Sequence, residues 1–249
     1  MINFTSQFGE DIYIYNNYVN VPDSTGVFVE LGAMNGYTYS NTKMFEDTLG
    51  FSGVLIEPTT QYNELIVNRP NCKCVNLAVN YSNEKSIFIG NGPCGGLDNY
   101  MTDEFKNRWH PNNKDGYFVN CSPFKDILHS NNITYIDVLS IDVEGAEEVV
   151  LDTMDFNIPV YVIIIELDGH NTDKDNRCRD ILIKNGFTFD KRININEFWI
   201  NKNYERKHQL FDNNKKRINF SNIHEFGHTP FVDLNHPNIY QLHDALNQS

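Results

Sequence analysis

Long hydrophobic runs are missing from this sequence: no apolar stretch approaches the ~18 residues that a membrane-spanning helix needs. The opening residues, MINFTSQFGED, have neither a basic stretch nor an apolar core, so no secretory signal is expected and the chain reads as cytoplasmic. Positive charge is scarce. Lys and Arg number 20 against 33 Asp and Glu, a net charge of −13. Nucleic-acid binding rests on cations that displace counterions from phosphates, so this balance argues against an RNA or DNA partner. The short basic stretches, Asn201–Gln209 and Asn213–Phe220, read better as solvated polar faces. Cysteines are few and odd in number, five, with no pair of C-x-x-C motifs at zinc-ribbon spacing. Cys72 and Cys74 alternate as residues on one face of a strand. Repeats and low-complexity linkers are also lacking, and 249 residues suit one α/β domain.

What is present is a regular alternation of strand-like and helix-like segments. Apolar runs at Gly26–Gly32, Ser52–Pro58, Cys72–Val79, Ile133–Asp142 and Pro159–Leu167 read as strands, the last two too apolar for a sheet with a wet face. Between them SNTKMFEDTLG, TTQYNELIVNRP and EGAEEVVLDTM have helical spacing, and KDNRCRDILIKNGF closes a further helix on Gly186. The pattern predicts an α/β fold, a mostly parallel sheet flanked by helices with a crevice at the carboxyl ends of its strands. Residues 1–25 are expected to cover the domain. Residues 90–123, rich in Gly, Asn and Pro, are expected to form a lid or acceptor-side insertion, and residues 213–249 a C-terminal tail.

The loop after the first strand, ELGAMNG, fails the dinucleotide pattern G-x-G-x-x-G at its second glycine, the one that admits a pyrophosphate. Glu30 ends that strand, and its charge would repel phosphates and suit a cation. S-adenosylmethionine, with a sulfonium, an ammonium and no phosphate, fits better. Gly32 and Gly36 would let the backbone pass close to it, while Ser40, Asn41 and Thr42 could bind its carboxylate. Glu57, 27 residues after Glu30 and at the end of the second strand, is placed to accept both ribose hydroxyls. NAD would use the same feature, and a surface salt bridge is its bland alternative.

In order along the chain, SQFGED, GVFVELGAMNGYTYSNT, GFSGVLIEP, NRPNCKCVNLAV and VLSIDVEGAEEVVL resemble the FkbM-type methyltransferases, over roughly Ser6 to Asn203. The resemblance implies a single domain of Rossmann-like class I methyltransferase fold and S-adenosylmethionine as methyl donor. It further implies an oxygen acceptor on a sugar, glycoconjugate or small metabolite. The implied cofactor contacts are Glu30, Gly32, Ala33, Asn35, Gly36, Asn41, Thr42, Glu57, Pro58 and Ala78. Asn35 stands where the family usually has Asp, which keeps the turn-forming geometry and loses a charge.

Acids gather where the acceptor would enter. SIDVEGAE and IIIELDGH bring Asp142, Glu144, Glu166, Asp168 and His170 toward one rim. Two mechanisms stay open. Asp142 or His170 is a general base, or Asp142 and Glu166 hold a divalent cation that lowers the hydroxyl pKa, Mg²⁺ or Mn²⁺ suiting carboxylates better than Zn²⁺. For Glu144 and especially Glu147, favourable charge at the next helix's N-terminus is the competing explanation. Trp109 and His110 are candidates to stack on or bond a sugar, and Gln7 or Glu10 to reach over the cofactor. Rival functions are the same chemistry on a nucleic acid, lipid or peptide, and a cofactor-binding module without turnover.

Overall fold

The computed structural model describes residues 2–112 and 116–218. After helix α1 (Glu10–Asn17) come strand β1 (Val27–Leu31), a π-helical turn (Phe45–Leu49), β2 (Ser52–Ile56), α2 (Tyr62–Asn68), β3 (Lys73–Val75) and β4 (Ala78–Val79). A smaller region follows: β5 (Ser86–Ile89), β6 (Gly96–Leu97), α3 (Asp103–Trp109), β7 (Tyr117–Val119) and β8 (Cys121–Ser122). The chain then returns through α4 (Phe124–Ser130), β9 (Ile136–Ile141), α5 (Glu147–Asp152), β10 (Val160–Glu166) and α6 (Thr172–Lys184). It finishes with β11 (Thr188–Ile193), β12 (Asn196–Ile200) and α7 (Lys207–Leu210).

Seven strands form the main sheet in the order β11-β12-β10-β9-β1-β2-β3. All neighbours from β10 to β3 run parallel, and the β11–β12 hairpin is antiparallel to its surroundings. Every residue of β9 and β10 is buried. This explains why IDVLSI and VYVIIIE are β-branched and apolar on both faces: each face is covered by helices. Alternation splits the core in two. Val29, Leu31, Leu139, Ile141, Ile163 and Ile165 pack on one face with α4, α5 and α6. Phe28, Leu55, Val138, Val162 and Phe198 pack on the other with α1, α2 and the π-helical turn. Glu30 falls on the second face, beside Phe28, by the same two-residue period.

Several sequence expectations need correction. The run 72–79 is two short strands, because β4 leaves the main sheet to pair with β8. The helix expected after Ser40 shortens to a five-residue π turn closed by Gly50, its first turn pulled inward by the ion pair between Glu46 and buried Arg69. Within residues 90–123 the described part carries β6, β7, β8 and α3, elements that the sequence reading had not placed there. The hairpin at 188–200 was not expected, since its outer strand is largely exposed and carries no apolar alternation. Of the tail expected at 213–249, residues 219 onward lie outside the described residues. Its first part docks on α1, where the Asn16 side chain donates to Ile218 O (2.7 Å) and accepts from Ile218 N (2.8 Å). No helix among the described residues is long and apolar enough to cross a membrane.

The N-terminal segment is tied down by buried acids. Asp11 accepts from Thr5 N (2.8 Å) and Ser6 Oγ (2.5 Å), and Ser6 bridges to Tyr39 in the loop after β1. Glu10 accepts from Phe8 N (2.8 Å) and from the Asn196 amide (2.7 Å) at the start of β12. Burial pushes the Glu10 carboxyl from 4.5 up to about 7. Since the folded state prefers the protonated acid, stability is full below about pH 4.5 and declines as pH rises toward 7. Glu10→Gln is expected to match the wild type near pH 4 and to exceed it by up to about 3 kcal/mol near pH 8. Chemical denaturation at both pH values measures this difference.

Candidate functional site

A cleft of about 480 Å³ opens at the carboxyl ends of β1, β2, β9 and β10. Its floor depends on Gly32. There φ is +75°, and a Cβ would lie 1.9 Å from the Asp142 carbonyl oxygen, so only glycine lets the ends of β1 and β9 approach this closely. Glu30, nearly fully buried, gathers the following loop around its carboxylate. Oε1 accepts from Asn41 N (2.8 Å), and Oε2 accepts from Ser40 Oγ (2.8 Å) and Thr42 Oγ1 (2.6 Å). Behind it Arg69, 0% exposed, lies 3.8 Å from Glu30 and pairs with Glu46. Its guanidinium also donates to Gly36 O (3.1 Å), Ser40 Oγ (3.1 Å) and Thr42 Oγ1 (3.2 Å).

Glu57 ends β2 with one backbone donor on each oxygen, Met34 N at 2.9 Å and Thr59 N at 2.8 Å. Each oxygen retains a further lone pair in a group that lines the cleft. Glu30, Gly32, Ala33, Asn41, Glu57, Pro58 and Ala78 all line it. Asn35, Gly36 and Thr42 are not among its lining residues, and the contacts described for them are within the fold. Asn35 Oδ1 closes a turn by accepting from Tyr37 N (3.1 Å) and Thr38 N (2.9 Å). Gly36 packs on α2, where a Cβ would meet Leu65 at 2.5 Å and Arg69 at 2.6 Å. Thr42 is buried between Glu30 and Arg69.

At the other end Asp142, Glu144 and Glu166 each present a carboxylate oxygen, all within 4.8 Å of one another. Burial, aggravated by the charges of Glu147, Glu30 and Asp168, pushes the Asp142 carboxyl up to about 6 even though a hydrogen bond with Glu166 opposes the shift. Burial and then the Asp142 charge hold Glu144 and Glu166 well above the ordinary carboxylate range. His170 and Asp168 line the same wall. The His170 backbone donates to Asp168 Oδ1 (2.9 Å), its Nε2 lies 3.7 Å from Asp168 Oδ2, and its ring stands edge-on to Phe105 at 5.5 Å. His170 is outside the three-carboxylate group.

These loops are braced from behind. Glu147 accepts from Gly145 N (3.0 Å), and Asp175 accepts from Gly169 N (3.0 Å). Buried Lys174 pairs with Glu147 and, at 3.2 Å, with Asp175. One ammonium therefore joins the loop after β9 to the loop after β10. The same cleft has an apolar lining of Phe88, Leu97, Phe105 and Trp109, from the smaller sheet and α3. His110 does not line the cleft; its Nε2 lies 2.7 Å from Cys94 O and holds the Gly92–Gly95 loop. Gln7 and Phe8 reach the cleft, whereas Glu10 faces the β12 side.

Sequence reasoning missed Phe8, Leu77, Phe88, Phe105, Asn194 and Ile195 as lining residues. The last two sit at the β11–β12 turn, and the Asn-Ile-Asn run there is a turn signal only once the hairpin is known.

The family model described as "Methyltransferase FkbM domain" matches residues 30–190. No curated protein matches the chain closely enough to name a relative. Among solved structures, fibrillarin from Aeropyrum pernix with natively bound S-adenosyl-L-methionine is similar at 11% identity and a TM-score of 0.42, over 78% of this chain and 74% of that one. An FkbM methyltransferase from Methylobacillus flagellatus is similar at 13% identity and a TM-score of 0.38, over 71% of this chain but only 44% of that one. TrmK from M. capricolum, in complex with S-adenosyl-homocysteine, is similar at 10% identity and a TM-score of 0.42, over 98% and 84%. The mostly parallel seven-stranded sheet with its antiparallel β12 is the Rossmann-like class I methyltransferase arrangement that the sequence led one to expect.

Removing the cation behind Glu30 tests how the loop after β1 is held. Arg69→Met leaves Glu30 and Glu46 buried without a counter-charge and is expected to cost about 3–5 kcal/mol in denaturant unfolding. Arg69→Lys should recover part of that loss.

Proposed function

The chain belongs to the FkbM methyltransferase family and is an S-adenosylmethionine-dependent methyltransferase, and from that premise we propose that it methylates a hydroxyl of a sugar or glycoconjugate. The observation that carries this reading is the meeting of Asp142, Glu144 and Glu166 in a cleft that Phe105 and Trp109 also line. A sugar has both surfaces to match: hydroxyls that donate to carboxylates and an apolar ring face that packs on aromatics. The net charge of −13 supports a small acceptor over a nucleic acid. In this reading the whole chain is one methyltransferase domain, with the smaller sheet and α3 walling the acceptor side.

The cofactor half binds by shape and charge. Glu57 accepts from the ribose hydroxyls with the lone pairs that Met34 N and Thr59 N leave free. Gly32 and Ala33 allow close approach, and the carboxylate of Glu30 lies on the side of the cleft suited to the cofactor's positive groups. Transfer is an in-line displacement. The acceptor oxygen forms a bond to the methyl carbon, the carbon–sulfur bond breaks with its electron pair going to sulfur, and the hydroxyl proton passes to Asp142. Aligning these atoms supplies much of the rate. His170, set against Asp168, is the second group in reach of such a proton.

Three crowded carboxylates also fit a divalent cation with a preference for oxygen, Mg²⁺ or Mn²⁺, held by Asp142, Glu144 and Glu166. Such an ion, when bound, would relieve the repulsion among these acids and lower the pKa of an acceptor hydroxyl.

Calorimetry on Glu57→Ala is expected to show cofactor binding weaker by about 1.5–3 kcal/mol, the size of a charge-assisted contact. Asp142→Asn should abolish methyl transfer while leaving cofactor affinity within a few-fold, because the loss falls on the transition state. An acceptor screen with labelled methyl donor, run with and without EDTA, tests acceptor and metal together. Activity that drops in EDTA and returns with Mg²⁺ or Mn²⁺ supports the cation. Activity indifferent to EDTA that still dies with Asp142→Asn leaves Asp142 as the base. A fully active Asp142→Asn would remove the acid group from the chemistry.

A further inference from the structure

We propose that the acceptor unit entering the cleft carries no anionic group: the lining admits uncharged or amino-bearing acceptors and turns away phosphates, sulfates and carboxylates. The inference rests on the methyl-transfer reading above and narrows its acceptor. Six carboxylates line the cleft, on Glu30, Glu57, Asp142, Glu144, Glu166 and Asp168, and among the described lining residues there is no Lys or Arg. An anionic group would need a guanidinium fork, an ammonium or a helix terminus to bond its oxygens.

The Lys and Arg side chains of the surrounding elements are not among the described lining residues and have other partners. Arg69 is buried against Glu46 and Glu30, and Lys174 against Glu147 and Asp175. Arg192 donates to Asn194 O and Leu167 O (2.8 Å each) and lies 3.6 Å from Glu197. Arg108 stacks 5.2 Å from the centre of the Trp109 ring. Lys114 is the one Lys or Arg of the chain outside the described residues.

Like charges brought together in a partly dehydrated cleft are weakly screened, so a phosphate among these acids meets repulsion that salt relieves only in part. In the metal-free protein S-adenosylmethionine brings one net positive charge, and a bound divalent ion would itself attract an anion, so the calorimetric comparison is made in EDTA. Hydroxyl and ammonium groups donate to the same oxygens, and the apolar face of the acceptor packs on Phe105 and Trp109.

The test uses two matched sets of acceptors with the full chain. The first is methyl glucoside, its 6-phosphate, methyl glucuronide and methyl glucosaminide. The second is catechol, 3,4-dihydroxybenzoate and dopamine. Label transfer from S-adenosylmethionine gives kcat/KM, and calorimetry on protein loaded with S-adenosylhomocysteine gives Kd without requiring transfer. Which set is methylated bears on the sugar reading; the ranking by charge within either set bears on the charge rule, so each can fail alone. Neutral and amino members are expected to exceed anionic ones by at least about tenfold, the scale of one like-charge contact. The same gap should narrow in Asp168→Asn. Anionic members that bind or react as well as their neutral counterparts in the wild type would overturn the inference.

Discussion

A buried cation behind a loop, rather than in the cleft, is the constraint on which this architecture depends. Arg69 is 0% exposed and holds Glu30, Glu46, Ser40, Thr42 and the Gly36 carbonyl in one cluster. A guanidinium has donors enough to serve several acceptors at fixed angles, which an ammonium does not. Without it the carboxylate ending β1 would sit in a dry interior with no counter-charge, and the loop around it would lose its shape. The cost of burying Glu30 is thus offset by the group that also shapes the cofactor-side wall.

The ends of β9 and β10 repeat the scheme with different residues. Lys174 on α6 holds Glu147 on α5 and its own neighbour Asp175, and these two acids fix backbone N–H groups in the loops that carry Glu144 and Asp168. In both halves positive charge is kept one layer back while carboxylates face the opening. The result is two walls rich in acids, with the buried cations Arg69 and Lys174 behind them. The third wall differs. Phe88, Leu97, Phe105 and Trp109 come from a separate small sheet and helix, so the apolar side of the cleft can vary without disturbing the main sheet.

Much of this was legible from local pattern. The buried strands β1, β2, β9 and β10 declare themselves by uninterrupted apolar residues, and residues at their carboxyl ends, Glu57, Asp142 and Glu166, follow directly as lining groups. Residues farther along the loop after β1 were harder. Asn35, Gly36 and Thr42 share a loop with Gly32 and Ala33, and nothing local says that the first three turn toward Arg69 and α2 while the others face the cleft. The segment after Gly90 showed no period because its strands are two or three residues long.

The sequence by itself determined the α/β class, the places of the buried strands along the chain, the acidic character and the identity of the carboxylates at the strand ends, because burial and charge are written into single residues and short periods. Only the tertiary structure decided which of those acids converge, since Asp142, Glu144 and Glu166 meet through the parallel pairing of β9 with β10 and a left-handed turn at Glu144 (φ 52°). It also decided that Arg69 and Lys174 lie behind the walls rather than in the cleft. A lone Arg or Lys in a polar stretch reads as a surface residue, and its burial appears only when distant carboxylates close around it.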